Sequence, residues 1–296
     1  MSSRKVRKAI IPAAGFGTRL FPATKVVKKE LFPIIDREGR IKPIIMVIVE
    51  EAVNAGIEEV GIIVQKSDRQ VFEDFFKTPL KSEFFHKLSP QNQAYSQYLQ
   101  ELGKKITFLI QEEQEGYGHA VYCAKDWIND EPFLLLLGDH VYASNTEISC
   151  ASQLLKVYEQ FNKSAISLTV MSAELIHKAG CVKGIWQEQN SILEITQLYE
   201  KPDLDYARSH FQMEGMETDK FLAVFGMYIL EPEIFNYLEK AIKNNLRYRG
   251  EFQLTTCLDE LCQDKGAIGY LMKGQYFDTG MPQFYRQTII DFYDLT

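Results

Sequence analysis

"IIPAAGFGTRLFPATKVVKKELFP", residues 10–33, begins with apolar and small residues and then sets Gly15, Gly17, Arg19, Lys25, Lys28 and Lys29 into the segment that follows. The apolar lead reads as a buried strand over residues 9–14, and a turn of bare backbone follows it. Glycines without a Cβ let successive N–H groups converge into a concavity that binds anions. Arg19 adds a planar fork suited to phosphate oxygens, and the three lysines add point charges within reach. Neither familiar phosphate loop is complete. Leu20 stands where a dinucleotide fingerprint needs its third glycine, and no Gly-Lys-Ser/Thr triplet follows as in a Walker A loop. Pro22 restrains Phe21 and argues against a helix starting at once. The loop is therefore expected to wrap a nucleoside triphosphate, which carries about four negative charges, rather than cap a helix with it. The bland alternative is a strand-end turn with solvated lysines.

Outward from this stretch, apolar strands over residues 60–64, 106–111 and 133–137 alternate with helical patterns over 43–55, 69–76 and 120–127. Continuously apolar strands between helices mean a parallel sheet covered on both faces. Residues 80–103 are polar and aromatic and read as an inserted helical excursion. A helix over 147–161 and a strand over 165–171 follow. Shorter alternating strands come next, over 181–187, 192–199 and 221–230. Helices over 233–244, 253–262 and 282–293 and a strand near 267–272 close the chain. The expected architecture is α/β and Rossmann-like, a mostly parallel central sheet flanked by helices with a smaller mixed or antiparallel portion. No Gly/Ser/Pro linker divides it, so residues 1–296 are expected to form one domain, with 1–165 mainly the nucleotide-binding half and 166–296 mainly the sugar-binding half with the C-terminal helices.

Composition supports a globular reading: 296 residues, 46% hydrophobic, with a net charge of −7. That acidic balance argues against nucleic acid or a membrane surface as partner, so the basic glycine loop is a local exception. Cys123, Cys150, Cys181, Cys257 and Cys262 form no CxxC pair and read as reduced and packed. The apolar run behind the basic N-terminus is too short for a signal peptide or a membrane span, and the cytoplasm is the expected location.

Two aspartates end apolar runs: Asp139 in "LLLLGDH" and Asp278 in "QYFDTG". Carboxyl ends of strands converge on the ligand crevice of an open parallel sheet, where both aspartates can meet a phosphate-bound Mg²⁺. The competing reading of Asp139 is a loop cap. His119 and His140 lack partners at metal-ligand spacing, and no nucleophile triad is present.

These pieces, with "KPIIMVIVEEAVNAGI", "QEEQEGYGHAVYCA", "YEKP" and "GEFQLT" in the same order, make the chain resemble the sugar-1-phosphate nucleotidyltransferases over nearly its whole length. Among them it is most similar to the bacterial uridylyltransferases. The resemblance implies UTP and glucose 1-phosphate as substrates, Mg²⁺ as cofactor and a homo-oligomer, dimer or tetramer. It implies that Ala13, Ala14, Gly15 and Gly17 form the nucleotide loop, that Arg19 meets the β and γ phosphates, and that Lys29 lies near the α phosphate. Gln111, Gly116 and Gly118 would hold uracil, and Asp139 and Asp278 the metal. Gly180 and Glu200 would hold the sugar, and Lys201 its phosphate.

The chain departs from the family at four places. Lys28 stands before Lys29-Glu30 where proline is usual, Gly138 replaces a proline, Ala179 a tyrosine, and Glu115 a lysine of the uracil segment. These departures leave dTTP or CTP, another sugar, or a non-catalytic sugar-nucleotide-binding protein as alternatives.

Overall fold

Strand β1 (Lys8–Pro12) is buried along its whole length, and its alternate side chains enter different layers: Ala9 and Ile11 join one hydrophobic cluster, Ile10 another. Side chains alternate with a period of two, so a strand that is apolar throughout requires cover on both faces. The computed structural model describes residues 4–36 and 38–294. After β1 the chain makes three single 3-10 turns, Thr18–Leu20, Ala23–Lys25 and Lys29–Leu31, and among the described residues no α-helix starts until residue 44.

Next come β2 (Pro33–Ile35), β3 (Ile41–Pro43), α1 (Ile44–Asn54), β4 (Glu59–Val64) and α2 (Arg69–Phe76). Then follow α3 (Ser82–Phe85), α4 (Pro90–Lys104), β5 (Ile106–Ile110), α5 (Tyr117–Tyr122), α6 (Lys125–Ile128) and β6 (Phe133–Leu136). The helix expected over 120–127 is two short ones, because the chain turns at Cys123 and Ala124. Helix α4 starts where Ser89 accepts from the N–H of Asn92 and Pro90 takes the first turn.

The second half runs β7 (His140–Ser144), α7 (Cys150–Phe161), β8 (Ala165–Ser172), β9 (Gly180–Glu188), β10 (Ile192–Glu200), α8 (Leu204–His210) and β11 (Lys220–Leu230). It ends with α9 (Ile234–Lys243), α10 (Leu254–Lys265), β12 (Ile268–Leu271), β13 (Gly274–Asp278) and α11 (Pro282–Asp294). Ser149 caps the N–H of Ser152, which sets the start of α7 at Cys150 rather than at 147.

One nine-stranded sheet crosses the molecule in the order β5-β4-β1-β6-β11-β8-β12-β10-β9. From β5 to β6 all pairings are parallel; beyond β6 the sheet is mixed, with β11 antiparallel to both β6 and β8. The parallel run brings the C-terminal ends of β1, β4, β5 and β6 to one edge, where the glycine loop, Gln111 and Asp139 emerge. Strands β7 and β13 pair antiparallel as a separate ribbon, with Asp278 opposite His140. The five cysteines are free thiols. Among the described residues no helix is long and apolar enough to cross a membrane.

Candidate active site

The glycine loop is held by its neighbours. The N–H of Ala13 donates to Ile63 O at 2.7 Å, and Gln114 Nε2 donates to Ala14 O at 2.6 Å. Gly17 has φ 73°, and Thr24 Oγ1 donates to its carbonyl at 3.1 Å; a Cβ there would lie 2.9 Å from Thr24 Cγ2. Thus glycine is required at 17 by both conformation and space. Ala13 and Ala14 are buried, whereas Gly15 and Arg19 open to solvent. Lys25 is also exposed. Lys28 is not available to a phosphate in the way the sequence suggests: its Nζ sits 2.5 Å from Asp68 Oδ2.

Arg19, Asp139 and Asp278 meet at one place. A Cβ on Gly280 would lie 2.8 Å from Asp139 Oδ2, 3.0 Å from Asp278 Oδ1 and 3.4 Å from an Arg19 guanidinium nitrogen. The two aspartates get there by different routes. Asp139 follows β6 of the main sheet, whereas Asp278 ends β13 of the ribbon, not a strand of the main sheet as expected. Thr279 ties the two segments together, its N–H and Oγ1 each donating to Asp139 O at 2.8 Å. The N–H of Gly280 donates to Asp278 Oδ1 at 2.6 Å.

Lys29 completes this group. Its Nζ lies 2.6 Å from Asp139 Oδ2 and 3.7 Å from Glu30 Oε1. Burial alone would raise the Asp139 carboxyl, but Lys29 and His140, whose Nδ1 is 3.1 Å away, hold it well below the usual carboxylate range. Burial likewise works against the Lys29 ammonium, yet Asp139 and Glu30 outweigh it and the pKa rises. Both partners therefore stay charged at neutral pH. Glu30 is different: it is almost fully buried, neither oxygen has a hydrogen-bond partner, and burial pushes its carboxyl up to about 7 against the pull of Lys29.

Gln111 is buried at the end of β5 and points its amide nitrogen at Gly116 O (3.3 Å) and His119 Nδ1 (3.0 Å). Gly116 has φ 109°, and a Cβ on it would lie 2.7 Å from Glu251 Cβ; one on Gly118 would lie 2.9 Å from Phe252 O. The strand-like bond of Gly118 N to Phe252 O (2.9 Å) and of Phe252 N to Glu115 O (2.8 Å) fastens this loop to the segment before α10.

Gly180 pairs with Glu200 across β9 and β10, and a Cβ on it would lie 3.4 Å from Glu200 Oε2. Glu200 accepts from Thr255 Oγ1 at 2.7 Å and lies 2.9 Å from Lys201 Nζ. Lys201 has φ 48°, which turns the chain out of β10. Gly180 abuts Val224 and His140 abuts Gly226, two residues apart on β11. Strand β11 thus runs between the Glu200 group and the His140 side of the Asp139 group.

Sequence reasoning missed Gln114, Glu30, Thr279 and Arg247, all of which touch or brace these groups; Thr255 lies in GEFQLT, a segment of the family resemblance that the sequence reading gives no site role. Only Glu30 carried a local signal, a carboxylate directly after the key lysine. Among the described residues no three His, Cys, Asp or Glu side chains form a metal-holding group, so Asp139 and Asp278 stand as a pair.

A family model described as nucleotidyl transferase matches residues 8–292. A UTP–glucose-1-phosphate uridylyltransferase of Staphylococcus saprophyticus is 35% identical over 97% of this chain and 93% of its own length. The Bacillus subtilis enzyme of the same name is 35% identical over 98% and 91%. A solved UDP-glucose pyrophosphorylase complexed with UDP-glucose superposes with a TM-score of 0.79 at 29% identity, covering 98% of this chain and 99% of its own. A UTP-bound enzyme from Acinetobacter baumannii does so at 0.76 and 26%, covering 97% and 93%. With the glycine loop, the paired aspartates and Lys29 all inside the matched span, the chain belongs to the nucleotidyl transferase family.

Proposed function

We propose that the protein joins UTP and glucose 1-phosphate into UDP-glucose and releases pyrophosphate. The observation that carries this reading is the convergence of Arg19, Asp139 and Asp278 on Gly280, with Lys29 against Asp139. The names of the curated relatives and the ligands of the solved neighbours support the same substrates. An oxygen of the sugar phosphate attacks the α phosphorus of UTP. A new P–O bond forms as the bond to the α,β-bridging oxygen breaks, and pyrophosphate leaves with the electron pair.

The chain's own groups position and neutralise this transfer. Backbone N–H groups from Ala14 to Gly17 cradle the triphosphate, with Ala13 anchoring the loop to β4; Arg19 meets the β and γ phosphates, and Lys29 meets the α phosphate where charge builds. Glu200 and the backbone of Gly180 take the sugar hydroxyls, and Lys201 takes the sugar phosphate. Two carboxylate oxygens facing one point are a hard donor pair that suits Mg²⁺, which uses few protein carboxylates and fills its shell with phosphate and water. Asp139 and Asp278 would hold that ion, which supplies neutralisation of the triphosphate charge.

Gln111 sets the base. With its amide nitrogen committed to Gly116 and His119, its Oε1 is left to accept, and uracil N3 donates where cytosine N3 accepts. Thymine shares that donor, so dTTP is the closer competitor. Residues 1–165 serve mainly the nucleotide and 166–296 mainly the sugar in this reading, with Asp278 reaching across to the triphosphate.

A pyrophosphate-release assay with Mg²⁺ over UTP, dTTP and CTP against glucose, galactose and glucosamine 1-phosphates tests it. UTP with glucose 1-phosphate should be fastest, and Asp139→Asn should lower turnover about 100-fold or more. Binding of UDP-glucose with no pyrophosphate released in any combination would sink the proposal.

A further inference from the structure

The base-side loop carries a chain of polar contacts that the transfer reaction itself does not use. Arg247, between α9 and α10, has each of its guanidinium nitrogens occupied: Nε donates to Asn245 Oδ1 at 2.7 Å, one terminal nitrogen to Gly250 O at 3.2 Å, and the other to Glu115 Oε1. Its guanidinium also lies 4.0 Å from the ring centre of Phe252. The fork therefore has one available orientation, and it fixes the Glu115 carboxylate. The second oxygen of Glu115 faces His119 Nε2 at 3.8 Å. On the other side of the ring, His119 Nδ1 stands 3.0 Å from Gln111 Nε2.

A neutral imidazole has one N–H and one acceptor, and a carboxylate near one nitrogen draws the proton to that nitrogen. Glu115 draws it to Nε2, so Nδ1 accepts. An accepting Nδ1 demands the NH₂ group of Gln111 and thereby turns the Gln111 oxygen outward. We infer that Arg247 and Glu115, acting through the tautomer of His119, set the direction of the Gln111 amide and so select a base that presents N3–H over one that presents a bare N3. They are positioning residues, since neither is placed against the nucleotide. The inference rests on the proposed role of Gln111 at the base.

The arrangement makes sense of a local oddity. Glu115 is an acid beside a loop expected to serve a polyanionic ligand, and its charge is answered from a segment 132 residues away. A lysine at that position would leave His119 Nε2 without its anion and the amide direction to the longer 3.3 Å bond with Gly116 O alone.

The test measures kcat/KM for UTP and CTP, and KM for glucose 1-phosphate, in the wild type, Arg247→Ala, Glu115→Gln and the exchange Glu115→Arg with Arg247→Glu. Arg247→Ala and Glu115→Gln should each lower the UTP-to-CTP ratio about tenfold, the scale of one reversed hydrogen bond, with the sugar-phosphate KM within about twofold. In the exchange variant a cation faces Nε2, so the loop is re-anchored but the ratio should stay low. A ratio that is unchanged in both single variants, or restored by the exchange, overturns the relay; the second result would mean that the pair is only a latch. Proton-coupled ¹⁵N spectra give a readout independent of turnover: His119 should carry its proton on Nε2 in the wild type and lose that preference in Glu115→Gln. If the wild type turns over no nucleotide, the proposed function fails separately, and the ratio of UTP to CTP dissociation constants in the same variants judges the relay.

Discussion

Lys29 and Glu30 are neighbours in sequence with opposite electrostatic fates. The lysine finds Asp139 and stays charged, while the glutamate is enclosed without a hydrogen-bond donor and its carboxyl is raised from 4.5 to about 7. Such a group prefers to be protonated in the folded state. Its contribution is fully present below about pH 4.5 and is lost as pH rises through 7, because the unfolded chain ionises more easily. Measured by urea unfolding between pH 4.5 and 8.5, Glu30→Gln should gain on the wild type by on the order of 3 kcal/mol across that window. A constant difference between the two at all pH values would show that Glu30 does not titrate with folding. Nearby, Lys28 shows how a cation read as ligand-facing from sequence is taken up inside the fold, here by Asp68.

At the scale of elements, the site is assembled where two sheets meet. The main sheet delivers the ends of β1 and β6, and the β7–β13 ribbon delivers Asp278. The ends of β1 and β6 touch with no room for a side chain: a Cβ on Gly138 would lie 2.3 Å from Pro12 O. The obstructing atom is backbone and cannot rotate away, so Gly138→Ala must push the two strand ends apart. It should cost about 1–3 kcal/mol, seen as a drop of several degrees in melting temperature, and should reduce turnover by displacing Asp139 from the glycine loop. A variant with unaltered melting temperature and turnover would refute this account of the junction. The same scale explains why the ribbon escaped sequence reading. Residues 140–144 and 274–278 are short, and their pairing joins segments more than a hundred residues apart, which periodicity within a window does not register.

For the whole molecule, the continuity of the nine-stranded sheet is the governing fact. Strand β11 pairs with β6 of the parallel run and with β8 and β9 of the mixed run, so the two halves are joined through a shared strand inside one sheet. Calorimetry should accordingly show one unfolding transition whose van't Hoff and calorimetric enthalpies agree. Two resolved transitions would mean that the halves unfold independently in spite of the shared strand.

The amino-acid sequence alone determined the alternation of apolar strands and helices, the glycine loop after β1 and the candidate aspartates, because each is written in neighbouring residues: hydrophobic runs, missing Cβ atoms, charges at a strand end. Tertiary structure alone decided that Lys29 pairs with Asp139, that Lys28 is spent on Asp68, that Glu30 is enclosed, and that Arg247 reaches Glu115. Those outcomes depend on which distant segments the sheet brings into contact, and the strength of a charge interaction depends on the burial that this contact creates.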